Sequence, residues 1–394
     1  MITPYPYQIE IAKKAKELLR SSSWAYLAME ERTGKTLTAL LAVEDYNKIL
    51  IITKKKALEG IMETLNLLPH LKNKVTLTNY HQVKHIKQSF DVVILDEAHA
   101  YLSAIPKQGV IYKEVEKVVK NTPILYLSAT PYAEHIGQIY PQLKLLGAYS
   151  PFWEFNTFYQ FFDVYGISKV KKIPYGYVND YTHYHNHKVL EKIKSNFIWF
   201  SRDDAGFEYS PTDNLIYVNM DKTTKDDIKK ALRTLVLDGE PLDSPMKLRN
   251  AIYQREGGVY KDKIYLNIEK ITKIKELYGD SDKIVIMHHF VNEGKKLRQH
   301  FKNALILQGD AYAEGVDLHQ FDKLIIYSMS YSTSKYIQRR ARQSNKQRDK
   351  PIEVDYLLVK RGLSEAVYNQ VAKKHKNFTK RSFDNWVKDF NERS

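Results

Sequence analysis

Two hydrophobic rhythms alternate along the first third of the chain. Residues 7–20 (YQIEIAKKAKELLR) carry apolar side chains at helical spacing, and a shorter helical pattern runs from Lys35 to Ala42. Around them lie short apolar runs: WAYLAM (24–29), ILIIT (49–53), KVTLTNY (74–80), DVVILDEA (91–98) and PILYLSAT (123–130). Short apolar runs between helical patterns predict buried parallel strands joined by crossover helices. The rhythm lapses over 146–265, where Tyr and Phe are frequent and Pro and Gly are scattered. Within that stretch FWEFNTFYQFF (152–162) and TTKDDIKKALRTLVL (223–237) predict helices. The second has Asp226 and Asp227 near its start, where the helix dipole favours acids. The α/β rhythm returns near Tyr265, with helices at 268–278, 294–301 and 335–343 and strands at 283–290, 304–308, 322–329 and 352–359. A last helix runs on from Ser364. The expected architecture is α/β: parallel-sheet domains at 1–145 and 266–380, a mostly helical, aromatic-rich insert at 146–265, and a basic tail at 381–394 that packs back. Such sheets bind ligands at the carboxyl ends of their strands.

Composition narrows the function classes. A chain of 394 residues can bury sizeable cores without a disulfide or metal staple. Cys is absent, which excludes disulfides, thiolate nucleophiles and Cys-ligated metal, and disfavours a secreted life. The net charge is +15. Residues 335–394 hold 16 Lys/Arg against 7 Asp/Glu, more than half of that excess. The bias favours an anionic partner, nucleic acid first, over a merely solvated basic terminus. No run approaches 18 apolar residues, and MITPYPYQIE lacks the pattern of a signal peptide, so a soluble, cytoplasmic protein is expected.

Two segments carry candidate chemistry. Arg32-Thr33-Gly34-Lys35-Thr36 follows a predicted strand and opens a predicted helix, the setting of a phosphate-binding loop. Backbone N–H groups at the helix start would cradle phosphates, Lys35 would reach the β- and γ-phosphates, and the Thr36 hydroxyl would ligate Mg2+. Position 29 is Met where the full pattern has Gly. Asp96-Glu97 follows 61 residues after Lys35, at the end of an apolar strand. There Asp96 would hold Mg2+ and Glu97 would polarise the attacking water. His288-His289, with His81 and His85, do not suggest a metal site, since adjacent residues on a strand point to opposite faces.

Asp96-Glu97-Ala98-His99 followed by Ser128-Ala129-Thr130 resembles motifs II and III of superfamily 2 helicases and translocases. Tyr7-Gln8 resembles the adenine-reading Q motif, IITK (51–54) motif Ia, and TNYH (78–81) the segment before the DEAH box. MHHF (287–290) resembles motif IV, EGVDL (314–318) motif V, and Gln338 to Arg348 motif VI. Within the superfamily the likeness is to SNF2-type ATPases, especially short phage-type members. It rests on IGQIYPQLKLLG (136–147), FSRDD (200–204), NLIYVNMDKTTKDDI (214–228) and LSEAVYNQVAKK (363–374).

The resemblance implies two RecA-like domains that close and reopen around ATP while the protein moves along nucleic acid. It puts Tyr7, Gln8, Arg32, Thr33, Gly34, Lys35, Thr36, Gly315, Asp317 and Gln338 at ATP. Thr36 and Asp96 would serve Mg2+, and Glu97 and Lys35 catalysis, with Arg342 or Arg339 as the arginine that neutralises the γ-phosphate. His99, Ser128, Ala129 and Thr130 would couple hydrolysis to movement, and Thr53, Lys54, Thr78, Asn79, Tyr80 and His288 would meet DNA. The family pattern has Gly where this chain has Arg32, and a second motif VI arginine where it has Asn345. Arg348, or a register using Arg339 and Arg342, are the alternatives. The expected function is an ATP-dependent DNA helicase or translocase of phage or bacterial replication or repair. It would act as a monomer on single-stranded, duplex or forked DNA, with possible replication partners and no membrane, in the (host) cytoplasm. An RNA helicase, or a non-catalytic nucleic-acid-binding protein that keeps the motor fold, are the other readings.

Overall fold

The computed structural model describes residues 3–392, except 133, 174–175, 310–317, 319 and 344–349. The chain divides into two compact units, Met1–Gly206 and Phe207–Ser394.

The strands of the first unit are β1 (Trp24–Met29), β2 (Ile49–Thr53), β3 (Val75–Asn79), β4 (Val92–Asp96), β5 (Ile124–Leu127), a hairpin of β6 (Val170–Ile173) and β7 (Gly176–Asn179), and β8 (Phe197–Phe200). Six of them form one sheet in the order β3-β2-β4-β5-β1-β8, with every pairing parallel. Strands β1, β2 and β5 are buried at every position, which is why they read as unbroken apolar runs. Alternation sorts their side chains onto two faces. Ala25, Leu27, Ile51 and Ile94 pack with helices α1 (Pro6–Ser22), α2 (Lys35–Val43) and α3 (Leu58–Asn66). Tyr26, Ile52, Val93 and Tyr126 pack on the other face with α5 (Val110–Val119), α6 (Ile139–Lys144), α7 (Phe158–Tyr165) and α8 (Asn186–Ile193); a short α4 (His99–Leu102) follows the DEAH strand.

The second unit has β9 (Thr212–Val218), short hairpins β10–β11 (Val236–Leu237, Glu240–Pro241) and β12–β13 (Val259–Tyr260, Lys263–Ile264), then β14 (Ile284–His288), β15 (Leu305–Gln308), β16 (Lys323–Ile326) and β17 (Glu353–Val359). Its main sheet is also parallel, in the order β15-β14-β16-β17-β9. On one face lie α11 (Glu269–Tyr278) and α12 (Val291–His300). On the other lie α9 (Lys222–Thr234), α10 (Pro245–Glu256), α13 (Thr333–Arg340), α14 (Leu363–Tyr368) and α15 (Lys380–Glu392). The two RecA-like parallel-sheet domains are therefore present.

The stretch expected as an insert, 146–265, is shared between the units: it supplies β8 to the first sheet and β9 to the second. The helix expected from residue 152 begins at Phe158. Thr157 starts it with a reciprocal cap, accepting from the Gln160 N–H at 3.3 Å while its own N–H donates to Gln160 Oε1 at 3.2 Å. Asp221, not Asp226 or Asp227, caps α9, accepting from the Thr224 N–H at 2.9 Å. The tail is an amphipathic helix that buries Phe383, Trp386 and Phe390. It is not basic: residues 381–394 hold three Lys/Arg and three Asp/Glu. Among the described residues no helix is long and apolar enough to cross a membrane.

Candidate nucleotide site at the carboxyl edge of the first sheet

The loop from β1 to α2 turns through two left-handed residues, Arg32 (φ +69°) and Gly34 (φ +81°). Arg32 thus holds the backbone shape that glycine adopts freely at the corresponding position of the family pattern. Gly34 is required twice over. A Cβ there would be strained by φ and would lie 2.0 Å from Gln8 Nε2. Lys35 folds back over the loop and donates to the carbonyls of Met29 (2.9 Å) and Glu30 (3.1 Å). The Thr33 hydroxyl donates to Glu30 O at 2.8 Å, tightening the same turn. From α1, Tyr7 donates its hydroxyl to Thr33 O at 3.1 Å, and Gln8 Nε2 donates to the same oxygen at 3.4 Å. Tyr5 stacks on Tyr7 and Tyr7 on Phe200, with centroids 5.5 and 4.7 Å apart. A pocket of about 370 Å³ opens beside the loop, lined by Tyr5, Gln8, Gly34, Thr36 and Thr64.

This geometry gives a test of the loop. Gly34→Ala is expected to destabilise the first unit by about 1–2 kcal/mol from the left-handed backbone alone. It should also displace Gln8 and weaken nucleotide binding. Gly60, inside α3, has open space where a Cβ would go. Gly60→Ala should therefore be neutral or stabilising. Thermal melts and nucleotide titrations of the two variants check this; equal behaviour would contradict it.

The acidic end of β4 sits between β2 and β5. Thr53, the last residue of β2, donates its hydroxyl to Asp96 Oδ2 at 2.6 Å, and Tyr80 donates its hydroxyl to the Asp96 main-chain oxygen at 2.9 Å. Burial, then the charge of Glu97, pushes the Asp96 carboxyl up to about 7; the Thr53 hydrogen bond and the charges of Lys35 and Lys54 oppose that rise. Glu97 takes φ +52°, a conformation rare for a side chain of its kind, and its N–H donates to Leu127 O at 2.8 Å. Glu97 Oε2 lies 3.4 Å from His99 Nδ1 and 4.0 Å from Lys54 Nζ. His99 Nδ1 is 2.9 Å from Ser128 Oγ, which accepts from the Thr130 N–H at 3.0 Å. A polar chain thus runs from Glu97 to the segment after β5.

Among the described residues no group of three or more His, Asp or Glu forms a metal cage. One half-buried carboxylate and one hydroxyl are nonetheless a donor set that suits Mg2+, which usually binds one or two carboxylates together with substrate phosphates and water.

Several residues expected at DNA are interior. Thr53, Tyr80 and His288 are each 2% exposed or less, and Asn79 is also buried. As they stand, they cannot form a contact surface. Thr53 and Tyr80 instead hold Asp96. His288 lies at 2.9 Å, through Nδ1, from Phe290 O, with its other nitrogen against Gly294; burial lowers its pKa. Lys54 and Thr78 are half-buried, as are Ala129, Thr130 and Gln338. In the second unit Arg339 and Arg342 are buried, and the Arg339 guanidinium packs over Gly309 just past β15. Gly315, Asp317, Asn345 and Arg348 lie outside the described residues. The role of Thr53 was not read from sequence; its signal is the pairing of β2 with β4, which sets one strand end beside the other.

Residues 53–133 match the family model of the type III restriction enzyme res subunit. No curated protein matches. Among solved structures, the chain is similar to the Sulfolobus solfataricus SWI2/SNF2 ATPase core in complex with dsDNA, at 16% identity over 97% of this chain and 94% of that one, with a TM-score of 0.44. It is similar to the Pyrococcus furiosus Hef helicase domain at 14% identity over 93% and 97%, TM-score 0.45. It is also similar to the ATP-dependent Type ISP restriction-modification enzyme LlaBIII bound to DNA, at 14% identity over 91% of this chain and 28% of that one, TM-score 0.45. The family match starts at Thr53, the residue that holds Asp96, and runs past Thr130, so it spans the acidic strand end and the polar chain behind it.

Proposed function

We propose that the chain is an ATP-dependent nucleic-acid motor of the superfamily 2 type, a DNA translocase or helicase. One observation carries this reading: Lys35, Asp96, Glu97 and Ser128 come from three different strand ends and gather at one sheet edge. Backbone amides at the start of α2 and the Lys35 ammonium suit the β- and γ-phosphates of ATP. Thr36 and Asp96 would hold Mg2+, which supplies charge neutralisation between the phosphates. Glu97 would orient the attacking water, and its neighbour His99 would pass the state of the site to Ser128 and Thr130. Arg339 and Arg342 are the candidates for the arginine that neutralises the developing γ-phosphate charge. The basic excess of residues 335–394 supports a nucleic-acid partner.

The test is motion on DNA. With ATP, the protein is expected to displace the third strand of a DNA triplex or to unwind a fork, and Lys35→Ala should do neither. Activity on an RNA duplex alone would move the assignment to an RNA helicase. ATP turnover without any displacement or unwinding would contradict the motor.

A further inference from the structure

The described side chains of the β6–β7 hairpin, at 169–171 and 176–179, are all exposed. Val170 is 66% and Tyr177 69% exposed, and Lys169, Lys171, Val178 and Asn179 are exposed as well. The ribbon is continuous with its base: Ile167 N donates to His183 O at 2.9 Å, Asp180 N to Lys169 O at 2.8 Å, and Gly166 bridges to Tyr184. From Gly166 to Ile173 it reaches roughly 20 Å at about 3.3 Å per residue. A two-stranded ribbon open on both faces is marginal by itself. Its root, however, is fixed. Tyr181 packs edge-on against Phe162 with centroids 4.9 Å apart. Tyr184 stacks on His135 at 5.3 Å and covers Gly137, a few residues beyond Thr130.

Register and alternation put Lys169, Lys171 and Val178 on one face and Val170, Lys172, Tyr177 and Asn179 on the other, so lysines stand on both. Among the described residues neither Lys169 nor Lys171 makes an ion pair. Asp180 at the hairpin base feels the charges of His183 and Lys171 and accepts from the Thr182 N–H at 3.0 Å and the Thr182 hydroxyl at 2.6 Å. We infer that this hairpin is a nucleic-acid-binding arm, with Lys169 and Lys171 on phosphates and Tyr177 against bases. Cations suit the phosphate backbone, an exposed aromatic suits base stacking, and a β-ribbon fits the major groove. The inference rests on the motor reading above.

Fluorescence anisotropy of the full chain on labelled single-stranded, duplex and forked DNA, across a salt series, tests it. All substitutions are on exposed positions, and thermal melts check that they fold. Lys169→Glu with Lys171→Glu should weaken binding about tenfold or more at low salt. It should also reduce the slope of log affinity against log salt by about two, since each phosphate contact contributes about 0.7–0.9. Tyr177→Ala should weaken single-strand or fork binding about tenfold. Variants with wild-type affinity and slope, beside a wild type that binds, would overturn the arm and leave the motor reading standing. A wild type with no affinity for any nucleic acid would overturn both. Self-association that the substitutions abolish, with DNA binding unchanged, would make the ribbon a pairing edge for a second copy and overturn the inference.

Discussion

Replacing Glu97 by Gln should lower ATP turnover about 10²–10⁴-fold, the range for loss of a positioned general base, while nucleotide affinity stays at the wild-type level. Gln keeps the size of the side chain and can occupy the same left-handed backbone position. What it loses is the charge that faces His99 at 3.4 Å and Lys54 at 4.0 Å. The unusual φ of +52° fixes where that charge sits, because the backbone turns sharply just after β4. A Glu97→Gln protein that hydrolyses ATP normally would remove Glu97 from the chemistry. A protein that no longer binds nucleotide would make it a structural residue. Single-turnover hydrolysis combined with a binding titration separates these outcomes.

The second large effect is expected at Thr53, a residue that touches no phosphate in this account. Its hydroxyl gives Asp96 a 2.6 Å hydrogen bond inside the protein. Hydrogen bonds to charged groups contribute about 1.5–3 kcal/mol, so Thr53→Val should weaken Mg2+–ATP binding about 10–100-fold near neutral pH. The mechanism has a pH signature. Burial raises Asp96 from an ordinary carboxyl value of 3.8 to about 7, so the free protein takes up a proton there as pH falls through neutrality. Mg2+–ATP needs the ionised form and must expel that proton. Apparent affinity should therefore fall as pH drops from 8 to 6, with about one proton released per nucleotide bound. For stability the sign is opposite: a carboxyl whose pKa is raised on folding favours the folded state most below its unfolded value, and that contribution is lost as pH rises from about 4 to 7. Thr53→Val should move the binding midpoint to higher pH, and Tyr80→Phe, which loses only a bond to the main chain, should barely move it. Titration calorimetry in buffers of different ionisation enthalpy measures the proton count. An affinity independent of pH across that range would contradict the assigned role of Asp96.

These residues also mark how far sequence carries. Strands β1, β2, β4 and β5 are buried on both faces, so each is a continuous apolar run with no competing reading. Strands β8 and β9 escaped because part of each is exposed, which breaks the apolar run. Trp199 is half exposed, and β9 alternates exposed and covered positions, so neither looks like a core strand. The places of Lys35, Asp96, Glu97 and His99 were legible because a strand end followed by a turn leaves a local pattern. Thr53, Tyr80 and His288 were misread because spacing places a residue near an edge without saying which way its side chain turns. All three turn inward. The tail was misread for a related reason: Phe383, Trp386 and Phe390 recur at helical spacing and bury one face, and the charges of 381–394 balance in the sequence.

The direct measurement is steady-state ATP turnover by the full chain, with and without duplex, single-stranded and forked DNA, alongside Lys35→Ala. Turnover that depends on Mg2+, rises severalfold or more with DNA, and disappears in Lys35→Ala is the expected result. Bound ATP that is never hydrolysed, with or without nucleic acid, would contradict the account and leave the chain a basic binding protein on a motor fold.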